Sequence, residues 1–74
     1  MTDFQKMQLE LAITRIETKI NSYNRTKERS KKQAVMDDEY GYHETAQFSK
    51  GQEFTLEYVI DDLRIILQGL KAMQ

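Results

Sequence analysis

The strongest polar feature of the sequence is a basic run at residues 25–32, RTKERSKK, which has aromatic residues on both sides. Cations beside aromatic rings can hold phosphate groups and stack a base. If the run is helical, three of its cations share one outer face. We therefore predict a site that binds a partner or a ligand, and its residues are Arg25, Arg29, Lys32, Tyr40 and Tyr42. The alternative is that these cations form a solvated face and pair with acidic side chains later in the chain.

The other ionisable residues do not match a known catalytic or metal-binding pattern. His43 is the only histidine, and Tyr40 occupies the position where a helical Glu-x-x-His metal motif requires glutamate. We interpret the acidic runs at 37–39 and 61–62 as solvated charge, the first in a turn and the second on the outside of a helix. The serines have no histidine close in sequence, and the three glycines are isolated from one another. We expect no enzymatic activity, no metal and no cofactor.

The first half of the chain contains residues spaced alternately four and three apart, the heptad pattern of a helix that packs along one seam. The members of this first series are Leu9, Ile13, Ile16, Ile20, Tyr23, Lys27, Ser30 and Ala34. Either Thr2 or Asp3 can cap the start of such a helix. The pattern breaks at residues 37–41, where Gly41 can adopt the left-handed conformation that ends helices. We predict a helix over residues 3–36 and a turn over residues 37–41.

The second half contains a series with the same spacing. Its members are Ala46, Ser49, Glu53, Leu56, Ile60, Leu63, Leu67 and Leu70. Gly51 lies inside this series and costs roughly 1 kcal/mol relative to alanine, so a helix that starts near Ser49 after a loop is the alternative. We prefer one helix over residues 42–73, which makes residues 1–74 a single helical domain.

The two series match each other if the chain folds back near Glu39. The numbers of the facing residues then add up to nearly the same value throughout. The pairs are Leu9–Leu70, Ile13–Leu67, Ile16–Leu63, Ile20–Ile60, Tyr23–Leu56, Lys27–Glu53, Ser30–Ser49 and Ala34–Ala46. Small residues face small residues, and a lysine faces a glutamate. This agreement predicts an all-α fold, an antiparallel two-helix hairpin that resembles a coiled coil.

Each helix also carries apolar residues outside its series, although a hairpin offers each helix only one neighbour. An exposed apolar patch of this kind usually marks an interface. We predict a homodimeric four-helix bundle, because a two-fold axis uses the same patch twice. The predicted interface lies at the end that holds both termini and consists of Phe4, Met7, Leu11, Val59, Ile66 and Met73. A foreign partner that covers the same patch is the alternative.

Composition excludes several classes of protein. The chain has 74 residues, no cysteine and no proline, so it has neither disulfide bonds nor thiolate metal sites. Its net charge of −1 argues against general attraction to nucleic acid. Residues 1–36 are basic and residues 37–74 acidic, which favours antiparallel packing of the two halves. No signal peptide or membrane span is recognisable, so we expect no membrane partner and a cytoplasmic location.

Four segments carry a resemblance to known proteins. They are MQLELAI at residues 7–13, IETKI at 16–20, FSKGQEF at 48–54 and YVIDDLRIIL at 58–67. In these segments the chain resembles small accessory proteins of phages that infect Gram-positive bacteria. The resemblance implies a short non-enzymatic protein that binds host machinery and redirects or inhibits it, as anti-defence factors do, and it implies the host cytoplasm as the location.

Together these observations indicate a non-enzymatic protein-interaction module, an inhibitor or adaptor of the phage type that binds a host protein. Two alternatives remain open from the sequence. The first is an oligomer that sequesters a nucleotide between its protomers. The second is a small regulator that associates with nucleic acid.

Overall fold

The computed structural model describes all of residues 1–74 and contains two α-helices joined by a short turn. Helix α1 spans Asp3–Glu39 and helix α2 spans His43–Ala72. The helices pack against each other along their length. The prediction of an all-α two-helix hairpin is therefore confirmed. Neither helix combines the length and the apolarity that a membrane-spanning segment requires.

The start of α1 is fixed by a capping box at Thr2, one of the two residues expected to cap it. Thr2 Oγ1 accepts a hydrogen bond from the backbone N–H of Gln5 at 3.2 Å, and Gln5 Oε1 accepts one from the backbone N–H of Thr2 at 2.9 Å. Both bonds satisfy first-turn groups that lack a helical partner. The 37 residues of α1 account for the 58 Å length of the molecule, because a helix rises about 1.5 Å per residue.

The turn lies later than the sequence pattern predicts. Gly41 has a φ of 81°, which confirms its expected left-handed conformation. The helix before it, however, continues through residues 37–39, which were assigned to the turn, because Asp37 extends the heptad series by one more step. Helix α2 then starts at His43 and passes through Gly51 without a break. A helix that begins only near Ser49 is therefore wrong.

Burial follows the two heptad series. Each helix has only one neighbour, so a buried side chain marks the surface that contacts the other helix. Every member of both series is buried or half-buried. The buried apolar residues are Ile13, Ile20, Ala34, Ala46 and Ile60. The two seams predicted from the spacing are therefore the contact surface of the hairpin.

The register along these seams differs from the predicted pairing because the turn is centred on Gly41 and not near Glu39. The Ser30 hydroxyl donates a hydrogen bond to Gln52 Oε1 at 3.2 Å, although the pairing placed Ser30 opposite Ser49. Residues of α1 therefore face residues slightly farther along α2 than expected. The predicted contact between Lys27 and Glu53 is not among the three ion pairs of the molecule.

Asp37 is a buried carboxylate in the seam, contrary to its interpretation as solvated charge. Its exposed fraction is 6%. Oδ1 accepts a hydrogen bond from Gln33 Nε2 at 2.8 Å, whereas Oδ2 has no partner. An unpaired buried polar atom costs about 1–3 kcal/mol, and negative charge in the last turn of a helix opposes the helix dipole.

Replacing Asp37 with alanine is therefore expected to stabilise the hairpin, by about 1–2 kcal/mol. The variant removes the unpaired oxygen and improves helix propensity, and the exposed Gln33 side chain can bond to water instead. The measurement is urea unfolding monitored by circular dichroism, with Asp37→Asn as the control that keeps the side-chain shape. A less stable alanine variant would contradict this account and indicate a partner for Oδ2.

Candidate interaction surfaces

The hairpin exposes more surface than a compact chain of its mass. Its accessible surface is 5837 Å², whereas a folded monomer of 8.8 kDa has about 4,800 Å². Its radius of gyration is 17.0 Å, against about 11 Å for a compact domain of this length. Only 8 of the 74 residues are buried. Most of the apolar surface is therefore available for contact with other molecules.

One broad side of the hairpin has almost no charge. The Ser30–Gln52 hydrogen bond crosses this side, and Thr26 and Gln52 line the same shallow groove. On each helix, the residues at intervals of seven from Thr26 or Gln52 form a row beside the seam on this side. We call this surface the Val59 face. Its residues are Gln5, Ala12, Lys19, Thr26, Gln33, Thr45, Gln52, Val59, Ile66 and Met73. Lys19 is the only one of them with a charge.

The opposite broad side is highly charged. The Asp38–Lys50 ion pair crosses it, and steps of seven residues from these two define the surface that we call the Arg64 face. Its residues are Asp3, Glu10, Glu17, Asn24, Lys31, Asp38, His43, Lys50, Glu57, Arg64 and Lys71. All of them except Asn24 are ionisable. A surface of this composition is suited to contact with water.

Electrostatic contacts near the turn converge on Asp38. Lys50 Nζ donates a hydrogen bond to Asp38 Oδ2 at 3.0 Å, and His43 Nδ1 lies 3.4 Å from Oδ1. The hydrogen bond from Lys50, and then that from His43, holds the pKa of Asp38 below its usual value. These contacts link the end of α1 to the start of α2, so His43 has a role in holding the turn.

The residues predicted to form one dimer interface lie on two separate surfaces. Val59 and Ile66 are on the Val59 face, with exposed fractions of 36% and 51%, and Met73 continues their line. Leu11 comes two residues after the seam residue Leu9, and therefore lies about 200° around the helix from it. Phe4 and Met7 share this outer side of α1. By helical position, the six residues of the predicted interface therefore divide between two sides of the hairpin.

The three cations of the predicted binding site occupy the same outer side of α1. Arg25, Arg29 and Lys32 line one shallow depression on this helix, and Glu28 lies among them. None of them takes part in an ion pair, so the alternative in which they pair with the acidic half of the chain is not realised. We call this surface the outer strip of α1. It comprises Phe4, Met7, Leu11, Arg25, Arg29 and Lys32.

The two tyrosines of the predicted site are at the turn, away from the cations. The rings of Tyr40 and Tyr42 are both exposed, and their centroids are 6.4 Å apart at an interplanar angle of 31°. Along the helix axis Tyr40 is about 12 Å from Lys32 and more than about 20 Å from Arg25. The five residues therefore form two sites, and no single pocket combines the tyrosines with the arginines.

Phe48 is an exposed aromatic residue that the sequence patterns did not assign to a site. It lines the groove of the Val59 face together with Thr26 and Gly51. Its position directly before the seam residue Ser49 indicates a residue at the edge of the contact surface. Heptad spacing could therefore identify it, because it directly precedes a seam position.

No group of three or more Asp, Glu and His side chains is arranged to hold a metal ion. Comparison with protein-family models, with curated proteins and with solved structures finds no match to this chain. The arrangement of its surfaces is therefore the basis for inferring its function.

Proposed function

We propose that the chain is a non-enzymatic protein-interaction module that self-associates through the Val59 face and binds a host protein through the outer strip of α1. The observation that carries the proposal is the composition of that strip. Its first part exposes Phe4, Met7 and Leu11, with Phe4 65% exposed, and its second part exposes three cations that have no ion-pair partner.

A protein surface is the partner that suits this composition best. Exposed phenylalanine, methionine and arginine are enriched at protein interfaces. A nucleic acid backbone would need only the cations, and a nucleotide would need an aromatic ring near them, whereas Tyr40 and Tyr42 lie at the turn. Since Leu11 and Arg25 are about 20 Å apart along α1, we expect a partner with an apolar groove and an acidic region separated by about that distance.

The resemblance to small phage accessory proteins suggests how such binding would act. A hairpin 58 Å long can cover an extended surface of a host protein and so block or redirect it. Inhibition or adaptation by occupation of a surface requires no catalytic group. Sequestration of a nucleotide and association with nucleic acid are the competing functions, and the experiment below distinguishes them.

Charge reversal on the outer strip is expected to abolish binding to the host protein. The variant carries Arg25→Glu, Arg29→Glu and Lys32→Glu, and we expect at least a hundredfold weaker binding, which is about 2.7 kcal/mol. The partner is first captured from nuclease-treated host lysate, and its affinity is then measured by calorimetry. Lys31→Glu, Arg64→Glu and Lys71→Glu reverse the same number of charges on the Arg64 face and form the matched control.

Three outcomes would contradict the proposal. Unchanged affinity of the outer-strip variant would place the binding site elsewhere on the hairpin. Capture that nuclease treatment abolishes would support association with nucleic acid. Thermal stabilisation by a nucleotide, which at a hundred times its dissociation constant amounts to about 2.7 kcal/mol, would support nucleotide sequestration.

A further inference from the structure

We infer that a second copy of this chain covers the Val59 face in a two-fold dimer with both turns at the same end, so that α1 of each copy packs on α2 of the other. This inference rests on the proposed self-association. It adds the face that is used, the direction in which the copies lie and the helices that meet.

The distribution of charge selects the Val59 face. One of its ten residues is charged and Arg29 borders it, whereas ten of the eleven residues on the Arg64 face are ionisable. An ionised group that is buried without a partner costs several kcal/mol, and the centres of protein interfaces are depleted in charged residues. Covering the Val59 face removes apolar surface from water with little loss of charge solvation, because it carries the exposed Val59, Ile66 and Met73.

The size of this face is sufficient for a stable dimer. The molecule measures 58 × 14 × 11 Å, so one broad side offers about 800 Å² per copy, which equals the contribution of each partner to a standard interface. The surplus of accessible surface over a compact monomer is of similar size, about 1,000 Å². One face-to-face contact would therefore reduce the accessible surface of this chain to about that of a compact monomer of the same mass.

A two-fold axis allows two face-to-face arrangements. If the axis runs parallel to the helices, the turns lie at the same end and α1 packs on α2 of the second copy. If the axis crosses the helices, the turns lie at opposite ends and each helix packs on its own equivalent. Both arrangements are isologous and closed, so symmetry does not decide between them.

The apolar residues of the Val59 face decide in favour of the same-end arrangement. Ala12, Ile66 and Met73 lie toward the termini, together with Gln5, whose Oε1 already accepts a hydrogen bond from the backbone N–H of Thr2. The amide side chains of Gln33 and Gln52 lie toward the turn. With the turns at the same end, apolar residues of the two copies meet one another. With the turns at opposite ends, they would cover glutamine amides, which lose hydrogen bonds to water when they are buried.

The single charge of the face favours the same arrangement. Counting the same number of residues toward the termini from Ser30 on α1 and from Gln52 on α2 leads to Lys19 and Leu63. These two residues are therefore level with each other, and Leu63 is adjacent to Asp62. In the same-end dimer, Lys19 is therefore level with Asp62 of the second copy, and opposite charges meet. Lys19 is also near the middle of α1, so the opposite-end dimer would bring the two copies of Lys19 close together.

Distances between spin labels test this arrangement. The chain has no cysteine, so Glu44→Cys and Lys71→Cys each provide one nitroxide site, near the turn and near the termini, on exposed residues outside the Val59 face. Four helices spaced 8–10 Å apart form a bundle about 25 Å across, so the same-end dimer predicts label distances within about 30 Å at both sites. The opposite-end dimer predicts about 40 Å or more at both sites.

Light scattering on the same labelled samples distinguishes a wrong arrangement of the dimer from an absence of self-association. A dimeric mass with short distances at both positions supports the inference. A dimeric mass with long distances overturns the same-end arrangement and leaves the self-association intact. A monomeric mass contradicts self-association itself. Circular dichroism of each labelled variant verifies that the helices are retained.

Discussion

Replacing both Val59 and Ile66 with glutamate is expected to convert the dimer into a monomer. In the proposed bundle Val59 lies near the centre of the interface and Ile66 lies one heptad closer to the termini, and the two-fold axis doubles each substitution. The dimer would have to bury four carboxylates without partners, each at a cost of several kcal/mol. This penalty is comparable to the whole free energy of association at micromolar affinity, about 8 kcal/mol. The measurement is the mass by light scattering, which should fall to that of one 8.8 kDa chain.

The hairpin itself should tolerate this change. Val59 and Ile66 are already 36% and 51% exposed in the single chain, so the helices should form as before. The matched control is Phe4→Glu with Leu11→Glu, which places the same charges on the outer strip of α1. We expect this control to remain dimeric and to bind the host protein more weakly. A monomeric control would show that the outer strip takes part in self-association.

Heptad spacing predicts the hairpin because burial in a two-helix molecule follows a single stripe on each helix. The stripes could be read even where they carry Ser30, Ala34, Ala46 and Ser49, because small residues preserve the spacing. The turn was misplaced because Asp37 occupies a seam position while its residue type favours a turn. Its burial depends on the covering helix α2, which its residue type does not indicate.

The surfaces were harder to predict than the fold. Spacing along α1 correctly grouped Arg25, Arg29 and Lys32, because they share one helix. Grouping Phe4 with Val59 required the position of one helix relative to the other. That relation depends on which flank of α1 lies beside which flank of α2, and it is visible only in contacts such as Ser30–Gln52 and Asp38–Lys50. Residues of different helices could therefore not be assigned to one surface from the sequence.

The two surfaces together have a consequence for binding. In the same-end dimer the outer strips of both α1 helices remain free except near Arg29, which borders the covered Val59 face and donates a hydrogen bond to Thr26 Oγ1. One dimer then presents two equal binding strips that run in the same direction. If the host target is itself oligomeric, the second contact becomes intramolecular, and overall affinity can rise by 10²–10⁴ without any new interaction.

Replacing Ile60 with alanine is expected to destabilise the protein by about 2–5 kcal/mol. Ile60 is 1% exposed and is the largest side chain that is fully buried in the hairpin. Its truncation removes apolar contacts and leaves a cavity that a two-helix seam cannot fill from a second layer. Since small domains have only about 5–15 kcal/mol of total stability, this loss should shift the unfolding midpoint strongly. Urea unfolding monitored by circular dichroism, at one fixed protein concentration because dimerisation contributes to stability, measures the effect.

The matched control for this prediction is Ile65→Ala, the same chemical change in the same helix at a side chain that is 67% exposed. Both variants gain the same helix propensity, so the difference between them isolates burial. We expect Ile65→Ala to change stability by no more than about 0.5 kcal/mol. A large loss for Ile65→Ala would mean that the outer side of α2 is covered in the assembly, and the assignment of the dimer contact to the Val59 face would then be wrong. Equal, small effects for both variants would instead contradict the burial of Ile60 between the two helices.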